Sequence, residues 1–569
     1  MAKKKSAAPA VKTGAAEKET PTQAHARHAA LAARNYDEHG RLIVREQAGE
    51  TPRQLDEIED ALANAPHLDL FEREGQMVRL LPAREEDGKC VRRDRDAIGF
   101  LTVVAEHLVD LAQRAAHFER FDERRKKWVR TGLSRAVAAS FLARGQWSGL
   151  RQCKSFAETP LVTQENRLIE SNGFDQELQI YFTIGDLPGY YSPPEKPTTQ
   201  QVNAALERLL QIHASFPFQQ PEAAANRAAA LAAILTAVIR RYLPASPMFP
   251  ISATAPGSGK SLMADGIAIV ASGRRAAVIA LGHDDAEEEK RIGGILLTGD
   301  SVLQLDNIDR PLKSVFLCQM MTQPKVRVRI LGSSSVPALP TNVLVLATGN
   351  GIRVEGDMRR RVIPIHLDAG VERPENREFD SDHLAEVAGR RGQIVADALT
   401  LIRAYLAAGC PRIEGARPFG GFETWDLMVR RPLLWLGLED PRQTAELYRD
   451  LDPDVENSRA VLNAWHSKWG ETDQSAAGVV KAATARLRDI DGKDIGPENP
   501  ALHDALVAVC AEKTNPRRFG GWLKSHRGRI VDDLQLVHGA YNTHDKKLFW
   551  KVRRIESAGN AGNAPPTSS

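Results

Sequence analysis

Thr254-Ala-Pro-Gly-Ser-Gly-Lys-Ser261 is the stretch on which the fold turns. Before it, Met248 to Ala253 reads as a short buried strand. After it, Lys260 to Ala271 reads as an apolar helix that stops at Gly273. A strand, a glycine loop and then Gly-Lys-Ser opening a helix is the arrangement that wraps a phosphate chain. Gly257 and Gly259 let the backbone turn its N–H groups inward. The helix N-terminus adds unpaired donors and a favourable dipole. Lys260 would neutralise the β- and γ-phosphates, and Ser261 would offer its hydroxyl oxygen to Mg2+. The run Thr254, Ala255, Pro256, Gly257, Ser258, Gly259, Lys260, Ser261 and Leu262 is therefore expected to hold ATP. Two features depart from the usual pattern: Thr254 stands where Gly or Ala is common, and Pro250 sits inside a central strand.

Three further segments follow in order. Ser301-Val-Leu-Gln-Leu-Asp-Asn307 reads as a buried strand that delivers Asp306 at its C-terminal end, the edge where open α/β sheets bind ligands. Asp306 is expected to hold Mg2+ with Ser261. Asn342-Val-Leu-Val-Leu-Ala-Thr-Gly-Asn350 reads as a second buried strand, with Asn350 placed for the attacking water or the γ-phosphate. Gly356-Asp-Met-Arg-Arg-Arg-Val362 offers Arg360 and Arg361 as an arginine finger for transition-state charge; the competing reading is a DNA-phosphate patch or a surface salt-bridge group. If either arginine serves a neighbour, the active form is an oligomer.

This order of Lys260, Asp306-Asn307, Asn350 and Arg360-Arg361 resembles the superfamily 3 helicases and related AAA+ ATPases of viruses, phages and plasmids. The wider pattern is similar to the primase/helicase-type ATPases of prophages and integrative elements. It runs through Arg329-Ile-Leu-Gly332, Glu372-Arg-Pro374, Gly421-Phe-Glu423, Trp435-Leu-Gly437 and Asp440-Pro441. The likeness covers residues 200–445 and fades over 60–190 and 500–555. It implies a ring, a hexamer, that translocates on single-stranded DNA. It also implies that Lys325, Arg327 and Arg329 lie on a basic hairpin gripping DNA in the pore. Alternation puts these three on one face; an edge strand guarded by charges is the other reading. Asn307 stands where many of these ATPases place an acid, and an amide cannot accept a proton. Glu288, Glu289 or Asp309 could serve as base, or Asn307 could orient water. No clustered set of metal-binding acids marks a primase centre.

Outside the core, residues 1–35 and 556–569 read as disordered tails, the first one basic. Residues 52–190 read as a mixed α+β domain, with helices at Gln54 to Ala65 and Ile98 to Phe118 and a strand at Gln76 to Leu81. Phe121 to Arg130 is dense in basic charge around Trp128. A solvated helix face is the favoured reading there, with nucleic-acid binding as the alternative. A helical lead-in spans 199–245, the α/β P-loop core of AAA+/superfamily 3 type spans 246–370, and a helical region spans 380–470. The last unit, 499–555, reads as helix, helix and hairpin, a winged-helix-like module. Its Arg517, Arg518, Lys524 and Arg527 are suited to DNA phosphates; a small protein-docking domain is the alternative.

The composition narrows the field. A net charge of +3 over 569 residues gives no global attraction to nucleic acid, so such binding must come from local patches. Cys90, Cys153, Cys318, Cys410 and Cys510 form no CxxC pair, which argues against a thiolate zinc site. They fit a reducing cytoplasm. No apolar run reaches the ~20 residues of a membrane span, and Met1-Ala-Lys-Lys-Lys-Ser6 has no apolar stretch behind its lysines. The expectation is an ATP-driven DNA helicase or translocase that replicates a mobile element. The alternatives are an ATP-switched replication initiator or regulator that does not unwind, and a nucleotide-binding scaffold.

Overall fold

Buried apolar side chains of the described residues gather in three large clusters, and these divide the chain. A computed structural model describes residues 36–82, 97–281, 284–329, 336–371, 373–374, 382–450, 453–488, 493–510, 514–542 and 547–555. The two expected tails lie outside them, as do Ile330, Leu331, Gly332 and Glu372 of the resemblance and Cys90.

The first cluster runs from Leu42 to Leu150. Its elements are β1 (Leu42–Glu46), α1 (Thr51–Ala63), β2 (Leu70–Arg73), β3 (Gln76–Pro82), β4 (Ile98–Thr102), α2 (Ala105–Ala115), β5 (Ala116–Asp122), β6 (Lys127–Arg130) and α3 (Arg135–Ala143). One sheet has the order β1-β5-β6; the other is β4-β3-β2 with the short strand Arg151–Gln152 at its edge. Two expectations fail here. Ile98 to Phe118 is not one helix: 98–102 pairs with β3, setting Phe100 opposite Leu80, and only 105–115 keeps helical spacing. The charged run 121–130 is no helix face either. It is the end of the β5–β6 hairpin, in which Phe121 pairs with Trp128.

The main cluster runs from Ala157 to Leu433. It begins with α4 (Thr199–Ile212), started by a Thr198/Gln201 capping box, and α5 (Ala223–Ile239). Almost every residue of α5 is buried, as an all-apolar helix requires. Next come β7 (Phe249–Ala253), α6 (Lys260–Ser272), β8 (Ala277–Ala280), α7 (Asp285–Thr298) and β9 (Val302–Asp306). They are followed by α8 (Val315–Thr322), β10 (Lys325–Arg327), β11 (Ala338–Pro340), β12 (Leu344–Asn350), a 3-10 turn at Gly356–Arg361, β13 (Ile365–Leu367), α9 (His383–Gly389) and α10 (Arg391–Ala407). Five strands form a parallel sheet in the order β8-β9-β12-β7-β13. Such strands are covered on both faces, so β7 and β12 read as continuous apolar runs. Pro250 occupies a break in pairing: Met248 bonds to Arg361 and Ile363, and the register with β13 resumes at Ile251.

Buried arginines tie these elements together, and one of them, Arg73, fastens the first unit to the core. Arg73 donates to Leu297 O at 2.6 Å and Leu296 O at 2.8 Å, and Arg241 donates to Gly299 O at 2.5 Å. Together they cap the last carbonyls of α7. Arg391 does the same for α6 through Ile269 O at 3.0 Å, and also reaches Glu158 O at 2.8 Å.

The last cluster runs from Val461 to Val552. It holds α11 (Pro453–Trp469), β14 (Gln474–Ser475), α12 (Ala476–Thr484), α13 (Pro500–Cys510), α14 (Pro516–Ser525), β15 (Ile530–Val531), β16 (Leu534–Asn542) and β17 (Lys547–Arg554). The sheet order is β14-β17-β16-β15. Helix, helix and hairpin stand as expected, yet the core reaches back to Val461. Residue 499 is therefore too late a start for this unit.

Candidate active site

The loop between β7 and α6 is held by its own backbone. Gly257 and Gly259 take φ of 73° and 90°, the left-handed region open to glycine. A Cβ on Gly259 would also stand 3.1 Å from the Phe216 ring. Ser258 is buried and donates to Ala255 O at 2.7 Å; Lys260 Nζ donates to the same oxygen at 3.2 Å. Thr254 Oγ1 donates to Asp368 Oδ1 at 3.1 Å. Ala255 is half-buried, Pro256 and Gly257 are exposed, Ser261 is exposed at the first turn of α6, and Leu262 packs on the main core. Burial pulls the Lys260 ammonium below its ordinary pKa, and an arriving anion would offset that desolvation.

Asp306 and Asn350 lie at the same edge of the sheet. The register sets Ala253 beside Asn350 and Leu305 beside Ala347, so the ends of β7, β12 and β9 stand in a row. Thr348 Oγ1 donates to Asp306 Oδ1 at 2.6 Å and fixes that carboxylate. Past Asp306 the chain swings out: Asn307 is exposed at φ 53°, and Ile308 N returns to Thr348 O at 2.8 Å. Asn is among the few non-glycine residues that adopt this backbone readily. At Gly349 a Cβ would meet Ile308 O at 2.5 Å, so only glycine fits. Thr348 and Gly349 belong to the Thr348-Gly-Asn350 run of the resemblance, but sequence reasoning gave neither a role. Ser261 and Asp306 are hard oxygen donors, suited to Mg2+ whose other ligands are phosphate oxygens and water. Among the described residues, no group of three or more His, Cys, Asp or Glu side chains could hold a metal unaided.

The candidate bases separate. Glu288, on α7, is buried, accepts from Ser314 Oγ and lies 3.8 Å from Arg310 Nη2. Burial pushes its carboxyl above the usual range. Glu289 is half-buried and Asp309 is exposed.

The arginines 359–361 are not at this edge. Val362 bridges Met248, which precedes β7, so the 3-10 turn sits at the opposite end of the strands from the glycine loop. Five strand residues, roughly 16 Å, lie between. Arg361 is turned inward with its side chain 13% exposed, whereas Arg360 is 66% exposed. Both pair with Asp357. Arg359 donates to Val354 O at 2.8 Å.

The basic segments are placed as follows. Lys325, Arg327 and Arg329 are exposed while Val326 and Val328 are buried, an alternation set by β10 pairing antiparallel with β11. Lys325 Nζ lies 2.5 Å from Glu74 Oε1 of the first unit. Arg517, Arg518 and Lys524 are exposed on α14 and Arg527 just beyond it. Arg518 donates to Cys510 O at 3.1 Å.

No protein-family model matches the chain, and no curated protein matches it. Among solved structures, the apo structure of the NrS-1 C-terminal region is similar at 11% identity and a TM-score of 0.33, covering 78% of this chain and 97% of that chain. The X-ray structure of JCV helicase is similar at 11% identity and a TM-score of 0.21, covering 44% of this chain and 71% of that chain. The superpositions are loose, so a functional reading rests on the residues of the site itself.

Proposed function

We propose that this chain is an ATP hydrolase acting on DNA, a helicase- or translocase-type motor of a mobile genetic element such as a phage, plasmid or integrative element. The observation that carries it is the row formed by the glycine loop, Asp306 and Asn350 at one edge of a parallel sheet. Main-chain N–H groups of 257–261 and Lys260 bind the phosphates. Ser261 and Asp306 hold Mg2+, which polarises the γ-phosphoryl oxygens when bound. Thr348 orients Asp306, and Asn350 orients the attacking water. Arg360, exposed and at the far edge, acts on a neighbour's nucleotide, which calls for a homo-oligomer; a hexameric ring is the form the sequence resemblance implies. Lys325, Arg327 and Arg329 grip a single strand, and Arg517, Arg518, Lys524 and Arg527 contact DNA when the motor loads.

The test is ATP turnover by the full chain with and without single-stranded DNA. Stimulation by DNA that vanishes in Lys260→Ala is expected; hydrolysis indifferent to DNA would count against a motor. One observation favours the second reading, a nucleotide-switched initiator. The residue after Asp306 is Asn307, an exposed amide, and an amide cannot take a proton from water. Strand displacement on a forked substrate separates the two.

A further inference from the structure

The sheet β1-β5-β6 of the first unit has two unlike faces. Val44 and Phe118 point into the core. The other face carries Arg45, Glu119, Phe121, Trp128 and Arg130, because Arg45 pairs with Glu119, Glu119 with Arg130, and Phe121 with Trp128. Outer faces of half-buried sheets are normally polar. Here two aromatics stand on the outer face, with ring centroids 5.5 Å apart at 70° and Phe121 36% exposed. Their surroundings are cationic. The Arg45 guanidinium lies 4.7 Å from the Trp128 ring, and Arg124, Arg125, Lys126 and Lys127 follow Phe121 round the turn, all exposed. Asp122 and Glu123 pair with Arg125 at 3.6 Å and Lys126 at 2.9 Å. Exposed pairs of this kind hold their partners weakly, so a phosphate can displace them.

We propose that this face is a binding platform for single-stranded nucleic acid, separate from the ATPase core and from the C-terminal module. Bases stack on Phe121 and Trp128, and the backbone runs along Arg130 and the basic turn. Charge complementarity names the occupant: a polyanion whose repeating unit also presents a flat π-face satisfies both halves of the surface, whereas an acidic peptide satisfies only one. Stacking is indifferent to sequence and to the sugar, so the chemistry is common to single-stranded DNA and RNA. The inference does not need ATP turnover.

The test uses the full chain without nucleotide. A 5-iododeoxyuridine oligonucleotide is crosslinked by light and the adducts are mapped by mass spectrometry; a 5-iodouridine RNA of the same length tells the two sources apart. An adduct at Phe121 or Trp128 is expected from either or both. The double variant Phe121→Ala/Trp128→Ala should lose that adduct and weaken oligothymidine binding roughly tenfold or more. Trp128→Phe should keep it. Arg124→Ala/Arg125→Ala, on an exposed turn that leaves the core untouched, should weaken binding and flatten its salt dependence. The proposal is overturned if adducts form only outside 116–130 or not at all. It is also overturned if duplex DNA or polyglutamate displaces the oligonucleotide from this face as well as a single strand does. If these variants behave as expected while ATP turnover is insensitive to DNA, the motor reading fails and the platform stands.

Discussion

Thr348 holds the Asp306 carboxylate, and Gly349 makes room for the Ile308 carbonyl. Thr348→Val keeps the shape of the side chain and removes the donor to Asp306 Oδ1. Under the proposed chemistry, Mg2+-supported hydrolysis should fall roughly tenfold to a hundredfold, with the melting temperature little changed; Mg2+ titration of the rate checks this. Gly349→Ala forces a Cβ against Ile308 O. It should cost about 1–3 kcal/mol of stability, read by thermal denaturation, and lower activity as well. His213 bears on the glycine loop through Phe216, whose ring centroid is 5.4 Å away. Burial, with repulsion from His383 added, pulls its imidazole down to about 3. An unfolded histidine titrates near 6.5. The unfolded chain therefore takes up this proton first as pH falls, and stability is lost below about 6.5, by ~1.4 kcal/mol per unit. His213→Phe should flatten the pH dependence of the melting temperature between 6.5 and 5 relative to wild type. The places of Lys260, Asp306 and Asn350 in the fold were legible because each ends an apolar run or opens a helix. Thr348 and Gly349 were not, because their roles depend on which strand lies beside which.

Elements with a strong local pattern read well: α4, α5, α6, β7, β9 and β12 fall within a few residues of expectation. Ile98 to Phe118 failed because a strand, a helix and a strand follow one another with almost no connecting loop, so the apolar spacing looks continuous. The basic run after Phe121 failed for a related reason, since charge density does not distinguish a hairpin turn from a helix face. The β10–β11 hairpin leans on α7 where Val328 meets Gly293. A Cβ at Gly293 would stand within 2.3 Å of Val328 Cγ1. Gly293→Ala should therefore loosen the hairpin, raising amide hydrogen exchange over 325–328. Under the motor reading it should also reduce DNA stimulation while leaving basal turnover in place.

At the scale of the molecule, the first unit is fastened by Arg73, and the core by Arg241, two arginines that the sequence alone would place on the surface. Burial pulls Arg73 and Arg241 down to about 10. They stay charged at neutral pH and bond to helix-end carbonyls. Arg73→Met strands two carbonyls of α7 and should cost about 1.5–3 kcal/mol, with earlier proteolytic cleavage between the first unit and the core. Nothing local in the sequence announces this joint, since each arginine meets residues more than a hundred positions away in the chain or on another element. The C-terminal boundary was misjudged on similar grounds, because Val461 and Trp465 join that core from a helix that reads as part of the preceding region.

The sheet is about one strand length deep, with the glycine loop on one rim and Arg360 on the other. Under the proposed chemistry each polypeptide carries the receiving half of one reaction centre and the donating half of the next. Head-to-tail stacking joins unlike rims at every junction, and it closes on itself when the rotation between copies divides a full circle. Turnover per chain should then fall on dilution, and an equal mixture of Lys260→Ala and Arg360→Ala chains should recover part of the rate that each lacks alone.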